Sequence, residues 1–366
     1  MKIIFSIYDS LKNPYYGGGG ARSTHEIAKR LAKNHWVTIL CGSFDDTGSE
    51  MIDGVHYRYV GVPFVNPKLG QLIFILLLPF YASVEQFDIW FEHFLPPHST
   101  TFIPLFTKKP VVGITTILHA SEFAKKYKLP FQIIEKFGLT KYRHLVVLTE
   151  SLKQKIKKSS PASTIDLIPL GVERRYLRLK KQVISTPYIL YIGRIDIEQK
   201  GLDLLLHSWK EYQGKARTPI QLKIAGSGLK EEEKKLKKLI RRLKVKDSVE
   251  LLGTVAGSQK AKLFSQALFC VFPSRFETFG LALLESMATG TPALIFDIPG
   301  FSWVAKSAVT KVKMFDSKSF VREMIRLTEN KNLRQMIGSR AKQFAQQFDY
   351  DAIAHQYQQL IVRLAT

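Results

Sequence analysis

The segment FPSRFETFGLALLESMATGTP, residues 272–292, sets Glu277 and Glu285 eight positions apart in a stretch otherwise apolar enough to be buried. The run LFCVFPS reads as a strand and RFETFG as the loop after it. A helix is predicted from about Leu281 to Thr289, so Glu277 lies in the loop and Glu285 in the first helical turns. A carboxylate accepts two hydroxyl hydrogen bonds well, so the pair suits a ligand rich in hydroxyls, one ring held by each acid. The N–H groups of Phe279, Gly280 and Leu281, at the helix start, would open toward an anion between them. The plain alternative is a capped helix with one exposed acid.

A second constellation is YIGRIDIEQKGLDLLLHSW, in which a strand runs into Arg194 and, six residues on, Lys200 precedes a helix. Both cations would lie at the carboxyl end of a sheet strand, where open α/β sheets bind ligands. A diphosphate is the matching guest: Arg grips one phosphate through two parallel N–H bonds and Lys acts as a point charge on the other. Surface Arg and Lys are common, and the pair alone is also compatible with solvent. A third is YDSLKNPYYGGGGARSTHEIAKRL, where four glycines, 17–20, follow a strand and a helix is predicted to begin near Ser23. Such a turn admits a phosphate or sugar close to the backbone. No Gly-Lys-Ser/Thr follows, so it is not a P-loop, and the G-x-G-x-x-G fit is partial; a flexible loop is the alternative.

The elements that must carry these residues alternate along nearly the whole chain. Strand-length apolar runs (KIIFSIY, VTILC, VHYRYVGV, IWFEH, VVGITTI, HLVVLT, then YILYIG, IQLKIAG, VELLG, LFCVFPS, PALIF) are separated by helical patterns, the signature of parallel sheets covered by helices. At 366 residues the chain exceeds one ordinary core, so two α/β domains are expected, 1–168 and 169–347. The strand pattern lapses and basic residues crowd at 168–187, the expected linker. The last segment, about 348–366, spaces Ile353, Tyr357, Leu360, Ile361 and Leu364 as a helix face that needs a surface, and is expected to pack back on the first domain.

Fifty-four Lys and Arg against thirty-one Asp and Glu give a net charge of +23 and favour anionic partners. The densest basic piece, LKEEEKKLKKLIRRLKVKD (229–247), has an apolar stripe and Glu231/Lys235 and Glu233/Lys237 pairs, a solvated helix. It lacks the interleaved aromatics that nucleic-acid binding would use, and no nucleic acid is expected as a partner. Cys41 and Cys270 sit in apolar runs, with no disulfide framework, and a cytoplasmic setting fits. The start MKIIFSIYDS is too short an apolar run for a signal peptide. The longest apolar run, 69–84, contains Gln71 and Pro79 and is read as non-spanning: a buried helix, with a helix dipping into a membrane interface as the other reading.

These residues together resemble the retaining glycosyltransferases of family 4. FPSRFETFGLALLESMATGTP resembles the family's E-x7-E signature, YIGRIDIEQKG its G-R-x5-K-G element, and IAGSG (224–228) its glycine turn near the nucleotide. HLVVLTESLKQKI, IDLIPLGVERRYL and the glycine-rich first loop match more weakly. The resemblance implies the GT-B fold: α/β, two Rossmann-like domains with parallel sheets facing a central cleft. It implies that Arg194 and Lys200 neutralise the diphosphate of a sugar-nucleotide donor, that Glu285 holds the ribose and that Glu277 contacts the donor sugar. The amides of Phe279, Gly280 and Leu281 would touch sugar or phosphate, and the turn at Gly226 would lie near the nucleotide. In the first domain Gly18 and Gly19 would approach the diphosphate, and His119 would sit near the reacting carbon. Leu170, where the family often has Asn before the GV pair, and Trp303, where it often has an acid, are departures.

The implied activity is hexosyl transfer with retention, to a hydroxyl of a glycan, lipid-linked or other acceptor, with no metal and no further cofactor. The one Asp-x-Asp, Asp349 to Asp351, precedes the final helix and reads as an N-cap. Basic and apolar patches of the first domain, HASEFAKKYKLPF and LTKYRHLVVLTESLKQKIKKSS, fit an anionic membrane surface, hence a peripheral position on the inner face of the plasma membrane; solvated surface is the alternative. The same fold also hosts sugar-nucleotide epimerases and phosphorylases, and a noncatalytic sugar-nucleotide-binding subunit is a third reading.

Overall fold

The structure is a computed structural model that describes residues 1–365 except 14–18, 45–47, 64, 96–99, 117, 119, 183 and 219, with the backbone alone at 122, 123 and 126. The chain forms two compact units, Met1–Gly171 with Tyr350–Thr366, and Val172–Asp349.

The first unit runs β1 (Lys2–Ser6), α1 (Gly19–Leu31), β2 (Trp36–Gly42), β3 (Ser49–Ile52), β4 (Val55–Val60), α2 (Pro67–Val84), β5 (Ile89–His93), β6 (Val111–Thr115), α3 (Ala120–Tyr127), α4 (Phe131–Leu139), β7 (His144–Val147), α5 (Glu150–Ser159) and β8 (Thr164–Leu167). Its sheet has the order β3-β4-β2-β1-β5-β6-β7-β8. Pairing is parallel except between β3 and β4, which form a hairpin. The sequence reading missed β3 and β8. The hairpin turn is Asp53-Gly54 with φ of 50° and 80°, the positive pair that a tight two-residue hairpin demands. Alternate strand residues face opposite sides. Ile3, Phe5, Ile39, Phe91 and Val146 pack under α1 and the final helix of the chain. Ile4, Leu40, Trp90, Leu145 and Val147 pack under α2, α4 and α5.

The second unit runs α6 (Arg174–Arg178), β9 (Tyr188–Ile192), α7 (Leu202–Lys215), β10 (Gln221–Ala225), α8 (Lys230–Leu243), β11 (Val249–Gly253), α9 (Gly257–Gln266), β12 (Phe269–Phe272), α10 (Leu281–Ala288), β13 (Ala293–Asp297), β14 (Thr310–Lys313), α11 (Ser317–Glu329) and α12 (Lys331–Ala345). The order is β11-β10-β9-β12-β13-β14, all pairs parallel. The edge strand β14 was also missed, its TKVK having too little apolar character to announce itself. The closing helix α13 (Tyr350–Ala365) places Ile353, Tyr357, Leu360 and Ile361 in the core of the first unit.

Three local expectations need correction. α1 begins at Gly19, four residues before Ser23. The ion pairs on α8 are Glu231–Lys234 and Glu232–Lys235, at i,i+3; Glu233 turns back to accept a hydrogen bond from the Gly228 N–H at 3.0 Å. Asp349 immediately precedes α13, where the N-cap reading put it, and pairs with Arg174 at 2.7 Å, while Asp351 pairs with Arg30 at 2.5 Å. The run at 69–84 is not a buried helix. One side of α2 packs on the sheet through Phe74 and Leu78, while Leu76 and Phe80 stand in solvent.

Candidate active site

In the second unit the chain leaves β9 for β10 and β11 on one side, then crosses to β12, β13 and β14 on the other. The strand order therefore reverses between β9 and β12, and a crevice opens at their carboxyl ends. The loops that follow these two strands carry Arg194, Lys200 and Glu277.

Lys200 stands one residue before the Gly201 N-cap of α7, and its Nζ lies 2.8 Å from both oxygens of Glu277. Ser274, two residues past β12, donates to Glu277 Oε1 at 2.9 Å. The pair is largely buried, with side chains 16% and 10% exposed, so each partner is fixed in direction. Arg194 is more exposed. Its guanidinium donates to Gln199 and lies 3.5 Å from Asp196, all within one loop. Tyr191, the penultimate residue of β9, donates its hydroxyl to the Arg194 carbonyl at 2.9 Å. Burial, and then the Glu277 carboxylate, push that phenol well above its ordinary range, so the hydroxyl stays a donor.

Glu285 sits in the second turn of α10, and its partner is Lys260 on α9, with Nζ 2.8 Å from Oε1 and 2.6 Å from Oε2. Both carboxylate oxygens thus lie against the Lys260 ammonium, which fixes the Glu285 side chain in direction. Gly280, the N-cap of α10, has a φ of 86°, and a Cβ there would meet the Phe301 ring at 2.5 Å. Leu283 and Leu284 donate to the Gly280 carbonyl at 3.0 and 3.2 Å, and the N–H groups of Leu281 and Ala282, as at any helix start, have no intrahelical acceptor. Phe279, fully buried, is held from behind by Trp303: the rings stack at 4.3 Å, and the indole N–H donates to the Phe279 carbonyl at 2.8 Å. Gly226 follows β10 with a φ of 137°, and a Cβ there would lie 1.8 Å from the Gly193 carbonyl oxygen. That turn and the β9 turn thus lie backbone to backbone.

The structure therefore brings Lys200 and Glu277 into contact, places Arg194 on the Lys200 loop and Gly226 against the β9 turn, and sets Phe279, Gly280 and Leu281 at the start of the helix that bears Glu285. Gly19 opens α1 after β1, whereas Gly18 and His119 lie outside the described residues. Three contributors escaped the sequence reading. Arg275 clasps Asp203 through two 2.7 Å hydrogen bonds and donates to the Glu198 carbonyl at 2.8 Å, joining the β12 loop to the β9 loop. Its partners lie more than 70 positions away, so no local signal announces it. Lys260 lies 25 positions from Glu285, and Trp303 had been read only as a departure.

The first unit has its own strand reversal, between β1 and β5. Near it stand Asp9, whose carboxyl burial raises to about 6, and His93, whose imidazole burial lowers to about 4. Glu92, fully buried and raised by burial to about 7, is spent on Thr101 and on the Tyr142 hydroxyl. Among the described residues no three His, Cys, Asp or Glu side chains gather as a metal centre.

A family model described as glycosyl transferases group 1 matches residues 179–344, and one described as glycosyltransferase family 4 matches residues 17–176. An uncharacterized glycosyltransferase of Methanocaldococcus jannaschii is 30% identical, the match covering 93% of each chain. Sucrose-phosphate synthase from Thermosynechococcus elongatus has the same fold with a TM-score of 0.81 at 18% identity, over 99% of this chain and 98% of its own. The Anabaena protein HepE, solved in complex with UDP and glucose, gives 0.76 at 17% identity, over 99% of this chain and 100% of its own. With parallel-sheet Rossmann-like units of the GT-B kind, and the crevice of the second unit carrying paired cations and acids, the chain belongs to the group 1 glycosyltransferases.

Proposed function

We propose that the protein transfers a hexose from a nucleoside-diphosphate sugar to an acceptor hydroxyl, with retention at the anomeric carbon and without a metal ion. The observation that carries this reading is the Lys200–Glu277 pair at the carboxyl ends of β9 and β12. Arg194 and Lys200 supply the fixed positive charge that a leaving diphosphate needs, and the N–H groups at the start of α10 add to it. Glu277, held by Lys200 and Ser274, receives sugar hydroxyls, and Glu285, held by Lys260, receives the ribose. The bond from the anomeric carbon to the phosphate oxygen breaks while the bond to the acceptor oxygen forms on the same face. The acceptor proton passes to the departing phosphate oxygen. Glu277 acts as a positioning group and forms no covalent bond. The family resemblance further implies diphosphate contacts for Gly18 and Gly19 and a role near the reacting carbon for His119. The acceptor is a glycan or a lipid-linked saccharide, and the setting is cytoplasmic.

The HepE complex makes UDP the first probe. Calorimetric titration of UDP and other nucleoside diphosphates, then assay of the matching sugar nucleotides with glycan and lipid acceptors, tests the reading. Retention is read from the anomeric proton of the product by NMR. An inverted product, or activity abolished by EDTA and restored by magnesium, would overturn the corresponding part. Donor hydrolysed or epimerised without acceptor would point instead to an epimerase.

A further inference from the structure

One surface of the first unit holds none of the residues assigned above to the donor. α2 carries no acid, and Lys68 in its first turn is its single charge. Phe74 and Leu78 are fully buried under it and bind it to the sheet. Its opposite side, where a surface helix places polar residues, is apolar as well: Leu69, Leu72, Leu76, Phe80 and Val84, spaced by three and four, are 47% to 67% exposed. The helix is long and apolar enough to cross a membrane, but its packed side ties it to the unit, so it can lie on a bilayer and not through one.

The surroundings continue the pattern. α4 and α5 cover the same side of the sheet as α2, so the outer surfaces of the three helices share one side of the unit. On α4, Ile133 is 70% and Phe137 54% exposed, and the Lys141 ammonium lies 4.2 Å from the Phe137 ring centre. α5 turns Lys155, Lys157 and Lys158 to solvent. Charge is segregated to match. Of the 20 basic and 13 acidic residues in 1–170, residues 105–159 hold 12 and 3, leaving 8 and 10 elsewhere.

We propose that this side of the first unit docks on an anionic lipid bilayer. The α2 stripe enters the boundary between headgroups and acyl chains, with Ile133 and Phe137 beside it, and Lys141, Lys155, Lys157 and Lys158 rest on the headgroups. An apolar stripe bordered by cations and almost no acids complements an anionic lipid surface. A second copy of the chain would set those cations against themselves. The proposal does not depend on the sugar-transfer reading.

The test is co-sedimentation of the full chain with vesicles of phosphatidylglycerol and phosphatidylcholine, or of phosphatidylcholine alone, at low and high salt. Binding is expected to the anionic vesicles only and to fall at least tenfold at high salt. Leu76→Ser with Phe80→Ser, and separately Lys155→Glu with Lys158→Glu, should each lower the bound fraction about tenfold. These residues are exposed, so melting temperature and UDP affinity should stay unchanged, which separates lost docking from lost folding. Equal binding to neutral vesicles, or binding indifferent to both variants, would overturn the proposal. So would a dimer in light scattering that the Leu76→Ser, Phe80→Ser variant dissolves while no vesicles bind.

Discussion

Trp303 lies flat on Phe279, with ring planes 8° apart, while its indole N–H holds the Phe279 carbonyl. The residue that departs from the family's acidic habit thus braces the loop before α10 from behind. Trp303→Ala removes the stack and the hydrogen bond, each contributing about 1 kcal/mol. The loop should loosen, with UDP affinity falling about tenfold by calorimetry. Trp303→Phe keeps a stacking face and should lose only the hydrogen-bond share. Equal affinity in all three proteins would remove the bracing role.

Lys200→Ala takes away a cation and leaves Glu277 buried beside Ser274 alone. Diphosphate affinity should drop by ten- to a hundredfold, roughly the value of one charge-assisted contact. Glu277→Gln keeps the shape and should lower kcat with a sugar nucleotide while changing UDP affinity little, since UDP lacks the sugar. A parallel loss of UDP affinity in Glu277→Gln would show that the carboxylate acts by holding Lys200.

Lys260 and Glu285 form a mostly buried pair, 18% and 12% exposed. Lys260→Met strands the carboxylate and should cost about 2 kcal/mol of stability, less than a fully buried pair would. The double variant Lys260→Met, Glu285→Gln should be more stable than the sum of the singles, measured by urea unfolding. Strict additivity would mean the pair is not coupled.

Glu92 and His93 are adjacent, both buried, and both favoured in the neutral form, so they drive stability in opposite directions. The Thr24 hydroxyl donates to the Gly20 carbonyl, so its oxygen accepts from His93 Nε2–H. Folded His93, lowered from 6.5 to about 4, refuses a proton that the unfolded chain accepts, and stability is lost as pH falls through that window. Folded Glu92, raised from 4.5 to about 7, keeps a proton that the unfolded chain gives up, and stability is lost as pH rises through that window. Glu92→Gln should therefore gain on the parent as pH rises from 4.5 to 7, by about 3 kcal/mol in urea unfolding. Parallel profiles would mean that the Glu92 carboxyl is ionised in the fold.

Much of the architecture was legible because parallel sheets write themselves locally. YILYI and FCVF are buried on both faces, so each appears as an unbroken apolar run. β3, β8 and β14 were not legible, because strands at or near a sheet edge bury little and their SEMI, TIDL and TKVK carry few apolar residues. For β3 the Asp53-Gly54 turn was the available sign.

The sequence by itself determined the strand-loop-helix frames that put Arg194, Lys200, Glu277 and Glu285 at strand ends and at a helix start, since those frames depend on residues a few positions apart. Only the tertiary structure decided which cation meets which acid: Lys200 with Glu277 across 77 positions, Lys260 with Glu285, Arg275 with Asp203. It also decided that α2 turns one apolar side to the sheet and the other outward. The physical reason is the same in each case. Such contacts follow from the order in which parallel strands assemble, and that order is a property of the whole sheet that no short window of residues contains.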